Sequence, residues 1–226
     1  MYMSSSIAVR ELPLFPLPGV VLFPTRPLPL HIFEPRYRMM INTVMETDRQ
    51  FGVLLWDGEN KEAAKVGCCA EVIRAEKLPD DRFNIITLGT KRFRVLEYTR
   101  EKPYRVGLVE WIEDESTEQP LARLVTDVQN LLNDVVYLSS KLTGKDVDLP
   151  DDLPDDPAEL SFWIGGNLQG AVDEQQALLE LTDTEKRLRR EAEILDTTCK
   201  HFAARTVLKD TFASSDEDGE SEDSDR

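Results

Sequence analysis

The stretch Leu12-Pro13-Leu14-Phe15-Pro16-Leu17-Pro18-Gly19-Val20-Val21-Leu22-Phe23-Pro24-Thr25-Arg26-Pro27-Leu28-Pro29-Leu30-His31-Ile32-Phe33-Glu34-Pro35-Arg36-Tyr37-Arg38 decides how this chain is read. It is apolar, yet prolines recur at 13, 16, 18, 24, 27, 29 and 35. Proline donates no ladder hydrogen bond and is excluded from helix interiors. The segment before Pro35 therefore predicts short extended pieces joined by turns, and neither a helix nor a long central strand. After Pro29, Leu30, Ile32 and Phe33 can close a short strand. Pro35 suits a first helical position, where its missing N–H costs nothing. Tyr37, Met40, Ile41, Val44 and Met45 then follow at helical spacing, predicting a short amphipathic helix over 35–46.

Downstream, the period changes to that of strands. Residues 51–56 read as a largely buried strand, and Asp57-Gly58-Glu59-Asn60 as a turn. Residues 66–88 read as a hairpin closed by Pro79-Asp80-Asp81, with Gly89 marking a bend or bulge. Lys91, Arg92 and Arg94 interleave with Phe93 and Val95 as a half-buried strand with a basic face, and 104–111 forms the last strand. Beyond Glu113 the code becomes helical. Leu121, Leu124, Val125, Val128, Leu131, Leu132, Val135 and Leu142 predict an amphipathic helix with Gly144 as its C-terminal cap. Helices are expected from Pro157 to about Leu168, over 173–181 with Asp173 as cap, and over 183–208. In the last of these, Leu181, Leu188, Leu195 and Phe202 lie seven apart, a seam expected to pack on the 121–142 helix. The expectation is an α+β chain: a mostly antiparallel β pseudobarrel followed by an α-helical bundle.

The bulk numbers restrict function. The 226 residues carry a net charge of −16, of which −6 lies in Asp216–Arg226 and −7 in Asp146–Glu159, leaving −3 for the remainder. The acidity belongs to a loop and a tail, which argues against nucleic acid as a partner. Three cysteines, with Cys68 and Cys69 adjacent and no CxxC pair, point to a reducing, intracellular setting. No run of about 18 apolar residues is present, so no membrane span is expected. The chain has two histidines, His31 and His201, without ligand-spaced partners, so no metal site is expected. Thr143-Gly144-Lys145 lacks the upstream glycine of a phosphate loop, since Ser139 stands there. Gly165-Gly166 reads as close helix packing. No catalytic constellation or cofactor motif emerges, and none is expected.

The proline-rich opening, Asp48-Arg49-Gln50-Phe51-Gly52-Val53, Val66-Gly67 with Ala70-Glu71-Val72, Leu78-Pro79-Asp80-Asp81-Arg82, and Gly89-Thr90-Lys91-Arg92-Phe93-Arg94-Val95 occur in an order that resembles the Lon N-terminal, or Lon substrate-binding, domain. Gln175-Gln176-Ala177-Leu178-Leu179-Glu180 and Arg187-Leu188 resemble that family's helical end, so the resemblance spans about 12–205. It implies a PUA-like pseudobarrel over 12–113 and a helical subdomain over 114–209, flanked by a flexible N-terminus (1–11) and a disordered acidic tail (210–226). Lon proteases continue into an ATPase module and a Ser-Lys protease domain, and this sequence shows neither. The resemblance therefore implies a stand-alone, non-enzymatic, cytoplasmic protein, bacterial or cyanobacterial before plastid. It would bind client or unfolded polypeptides as a recognition or adaptor module in protein quality control, docking to a protease or chaperone machine. The candidate polypeptide contacts are Phe33, Glu34, Arg36 and Tyr37 at the strand-to-helix junction, and Arg92 and Phe93 on the basic strand. RNA binding, which PUA-like folds also support, is the alternative that the overall acidity opposes.

Overall fold

The structure is a computed structural model that describes residues 9–116, 119–151, 153–168 and 170–217. Seven strands, β1 (Val9–Pro18), β2 (Pro27–Ile32), β3 (Gln50–Asp57), β4 (Glu62–Ala63), β5 (Val66–Lys77), β6 (Phe83–Arg100) and β7 (Arg105–Ile112), form one sheet. Its order is β1-β7-β6-β5-β3-β4, and β1 pairs with β3 as well, so β1, β7, β6, β5 and β3 close into a ring. The helix α1 (Pro35–Met45) lies between β2 and β3 in the chain. This is the pseudobarrel that the resemblance implied.

β1 departs from the expectation for the proline-rich stretch. Residues 9–18 form one ten-residue strand rather than short pieces. It tolerates Pro13, Pro16 and Pro18 because it changes partner midway. Val9–Leu14 run antiparallel to β7, and Leu14–Pro18 run parallel to β3. A strand with one neighbour at a time always has a free edge, and alternate residues turn their N–H to opposite edges. Pro16 and Pro18 share one parity, so both missing donors fall on one edge. The same reasoning admits Pro27 and Pro29 to β2, which pairs only with β6.

β6 is the longest strand, at 18 residues, and serves two neighbourhoods. Phe83–Leu88 pair with β2, and Arg92–Arg100 pair with β7. The expected irregularity at Gly89 is present as a register shift against β5 between Cys68 and Ala70. There the 23–26 loop docks on the strand, through Thr25 N–H to the Gly89 carbonyl (2.8 Å) and Gly89 N–H to the Arg26 carbonyl (2.9 Å). A Cβ on Gly89 would meet the Phe23 carbonyl oxygen at 2.0 Å, so only glycine fits.

Both faces of the ring strands are covered, which produces two apolar clusters. One holds Phe15, Phe51, Cys68 and Phe83 together with the inward face of α1, namely Tyr37, Met40, Ile41 and Val44. The other holds Leu12, Leu14, Leu54, Cys69 and Phe93. Successive strand residues point to opposite faces. The adjacent cysteines therefore enter different clusters, and each remains a free thiol.

The helices divide differently from the expected boundary at 113. The chain forms two compact units, one of 1–116 with 158–184, the other of 117–157 with 185–226. The helices α3 (Pro157–Asn167) and α4 (Val172–Glu180) thus belong almost wholly with the barrel. The reason is close contact: a Cβ on Gly165 would lie 2.7 Å from the Phe23 ring, and one on Gly166 2.8 Å from Arg26 Cγ. Gln176 Nε2 also donates to the Val66 carbonyl at 3.1 Å. Asp173 stands in the first turn of α4 rather than at its cap, which is Ala171.

The second unit is built on α2 (Ala122–Thr143) and α5 (Thr184–Glu217). Gly144 closes α2 in the left-handed region at φ 68°, as expected of a C-terminal glycine. Val128 and Leu132 of α2 are buried, as are Leu188 and Leu195 of the α5 seam, and Cys199 Sγ approaches the Leu131 carbonyl at 3.7 Å. At 34 residues α5 is about 51 Å long at 1.5 Å per residue and continues past the expected end at 208. Strand β1 likewise begins at Val9, inside the segment expected to be flexible. The rest of that segment, 1–8, and the 218–226 part of the acidic tail lie outside the described residues.

Two outcomes test this packing. Gly89→Ala forces a methyl group against fixed backbone and is expected to cost about 2–3 kcal/mol in urea unfolding; an unchanged midpoint would contradict the docked 23–26 loop. Burial raises the Cys69 thiol to about 11 and pushes Cys68 higher still. At pH 8 both are protonated and covered, so a thiol-reactive disulfide reagent should leave them unmodified until the chain is unfolded. Rapid labelling of three thiols in the native chain would contradict it.

Candidate functional site

The strand-to-helix junction lies at the end of β2. Ile32 is buried in the core, so the pleat turns Phe33 outward, and its ring is 61% exposed. Glu34 is extended (ψ 133°), as a residue before proline must be, and Pro35 opens α1. Glu34 makes no cap hydrogen bond; its carboxylate instead accepts from Arg36, with Nη2 at 2.8 Å. One turn into the helix, Tyr37 packs on Phe15 with ring centroids 4.1 Å apart. The Arg36 guanidinium lies over the Tyr37 ring, 4.6 Å from its centroid. Burial raises the Tyr37 phenol above its usual value, with Arg36 pulling it down and Glu34 pushing it up. Its hydroxyl therefore stays protonated at neutral pH and remains a donor.

These residues form one wall of an open groove of about 1080 Å³. The facing wall is the second half of β1, Pro16–Pro18, with Trp56 of β3 and the 101–105 segment that leads into β7. Arg105 lies over the Trp56 ring at 5.3 Å and pairs with Glu101 at 3.2 Å. The groove is lined mainly by apolar side chains, with the Glu34–Arg36 and Glu101–Arg105 pairs among them. It has the concave, mostly apolar character of a recognition site. Among the described residues no cluster of three or more His, Cys, Asp or Glu could hold a metal ion.

Four of the six expected contacts, Phe33, Glu34, Arg36 and Tyr37, meet in this groove. Arg92 and Phe93 do not, and this corrects the expectation that they offer a docking surface. Phe93 is fully buried in the second cluster, and Arg92 is 2% exposed. Alternation holds across 92–95, with Phe93 and Val95 entering the second cluster; Arg92 points to the other face and is buried there because the end of α4 and Phe162 of α3 cover it. Arg92 donates to the Leu179 and Leu181 carbonyls at 2.8 and 2.5 Å and pairs with Asp114. It secures the end of α4. Lys91 and Arg94 are the exposed members of the expected basic face, and Arg94 pairs across the strands with Glu110 at 3.0 Å.

The groove also contains residues that the sequence did not single out: Pro16, Leu17, Pro18, Trp56 and Lys102–Arg105. The proline spacing of β1 signalled an unusual strand. Nothing local signalled that a loop more than 80 residues later would face it.

These elements define a PUA-like ring that bears an open groove at a strand-to-helix junction. Residues 11–197 match the family described as the ATP-dependent protease La (LON) substrate-binding domain, and the chain belongs to that family. Lon protease 2 of Myxococcus xanthus is 27% identical over 195 residues, covering 83% of this chain and 24% of that protein. Lon protease 2 of Herpetosiphon aurantiacus is 28% identical over 203 residues, covering 84% of this chain and again 24% of the relative. The chain therefore spans about a quarter of the length of these relatives. A Lon N-terminal domain protein from Xanthomonas campestris superposes with a TM-score of 0.60 at 25% identity, covering 80% of this chain and 96% of that one. The N-terminal domain of a Mycobacterium avium complex Lon protease shares the fold, with a TM-score of 0.62 at 16% identity, covering 84% of this chain and 98% of that one.

The reassignment of Arg92 is testable. Arg92→Met removes the cation paired with Asp114 and a donor to the carbonyls at the end of α4, which should cost about 3–5 kcal/mol. Chemical unfolding of the full chain should show that loss. A variant of unchanged stability but altered ligand binding would return Arg92 to the candidate site.

Proposed function

We propose that this chain is a non-enzymatic recognition module that holds exposed apolar segments of polypeptides in the Phe33–Trp56 groove. The observation that carries the reading is the groove itself: a mainly apolar lining open to solvent, with a large aromatic side chain standing 61% exposed. Isolated exposed apolar residues are ordinary, but one beside a large apolar groove offers an anchor for a partner. The family's description as a substrate-binding domain supports the same reading. Polypeptides are the substrate class that a Lon relative would present to it. In that role the domain delivers clients, and cleavage or refolding belongs to a protease or chaperone machine that it serves. No step of bond making or breaking is assigned to its residues.

The experiment is a titration of a fluorescent, permanently unfolded protein with the purified chain and with Phe33→Ala. Truncating an exposed anchor should weaken binding by about tenfold, near 1–2 kcal/mol, while thermal stability changes by no more than about 0.5 kcal/mol. Equal affinity of the variant would remove Phe33 from the site. Salt-sensitive binding of RNA, with no binding of the unfolded protein, would overturn the proposal in favour of a nucleic-acid role. Casein incubated with the chain, with or without ATP, should remain intact.

A further inference from the structure

We infer that the groove selects a proline-bearing segment in the polyproline II conformation, with a carboxylate at the end that meets Lys102, over a segment that would add as a β-strand. The inference rests on the polypeptide reading of the groove and names the class of segment. An extended peptide can be held in two ways: by pairing with a strand edge, or by lying on aromatic surfaces with its backbone unpaired. The first needs an N–H from every second residue of the edge. In the groove wall, β3 already occupies one side of Leu14–Pro18, and pairing with β7 has ended at Leu14. Of residues 16–18 only Leu17 carries an N–H, and the facing segment contributes Pro103, which has none. No ladder can be built on the β1 lining of the groove.

What the groove offers instead fits the second mode. The exposed Phe33 and the half-buried Trp56 line it, rings that stack on proline faces. A polyproline II backbone keeps its carbonyls unbonded, so it needs donors rather than a strand. Two donors are at hand: the Trp56 indole N–H and the Tyr37 hydroxyl, neither of which has a side-chain hydrogen bond among the described residues. The rim supplies the polarity. Arg36 is engaged by Glu34 and Arg105 by Glu101, whereas Lys102 is exposed and has no ion pair among the described residues. A partner's carboxylate therefore meets Lys102 without having to displace an existing pair.

The test uses the full chain and labelled decapeptides read by fluorescence anisotropy. One peptide alternates proline and leucine with an aspartate at one end, made in both orientations. A second replaces proline by valine and threonine, and a third replaces the aspartate by lysine. The better proline–aspartate peptide should bind at least about tenfold tighter than the valine–threonine peptide. Trp56→Phe keeps the ring and removes the donor, so it should weaken that peptide about fivefold; Tyr37→Phe is the second variant and should act in the same direction. Lys102→Glu should invert the preference between aspartate and lysine ends. If the valine–threonine peptide binds as well or better, the inference falls while the polypeptide reading stands. If none of the peptides binds, and the unfolded protein does not either, both fall. If both aromatic variants retain full affinity while folded, the groove is not where the peptide sits.

Discussion

One buried cation holds this domain together. Arg92 is 2% exposed, and its guanidinium reaches three acceptors on two separate segments: Asp114 beyond the last strand, and the Leu179 and Leu181 carbonyls at the end of α4. A buried guanidinium is tolerated only when its donors are matched, and arginine's planar fork can satisfy several acceptors at once. Asp114 in turn accepts from the Thr184 hydroxyl at 2.8 Å, and Thr182 donates to Glu115 at 2.7 Å. The 114–115 and 179–184 segments are thus stitched side by side, and α3 and α4 cannot leave the barrel without exposing an unmatched charge.

The second constraint is the changing partner of β1. By pairing with β7 and then β3, one strand closes the ring and leaves a free edge where its prolines lie. The same prolines that make the edge useless for further pairing give the groove an apolar wall. Ring closure, protection of an open edge and construction of the site therefore come from one run of residues. Phe33 and Tyr37 divide the labour on the other wall: the pleat exposes the first, and the helical turn buries the second against Phe15.

Much of this was readable in advance where the signal is local. Pro35 at a helix start, Gly144 at a helix end, the 79–81 turn and the 57–60 turn all depend on neighbours within a few residues. The Asp57 carboxylate, for example, accepts from the N–H groups of Glu59 and Asn60. Four of the six expected contacts share the groove because they sit on one junction. Arg92 and Phe93 are both buried because each face of this strand is covered: Phe93 enters the second cluster, and α3 and α4, far along the chain, cover Arg92 on the other face. The boundary at 113 failed because helical periodicity reports an apolar face and not its partner.

By itself, the sequence determined the family, the order of strands and helices, and the chemistry of the junction at Phe33–Tyr37, because periodicity, proline and glycine act over short range. Only the tertiary structure decided that the proline run is a single strand with two partners and that α3 and α4 return to the barrel. It alone decided that Arg92 is a buried tie and that Trp56 and Lys102–Arg105 face the junction across a groove. Each of these depends on contacts between residues far apart in the chain, where burial and matched hydrogen bonds outweigh any local preference.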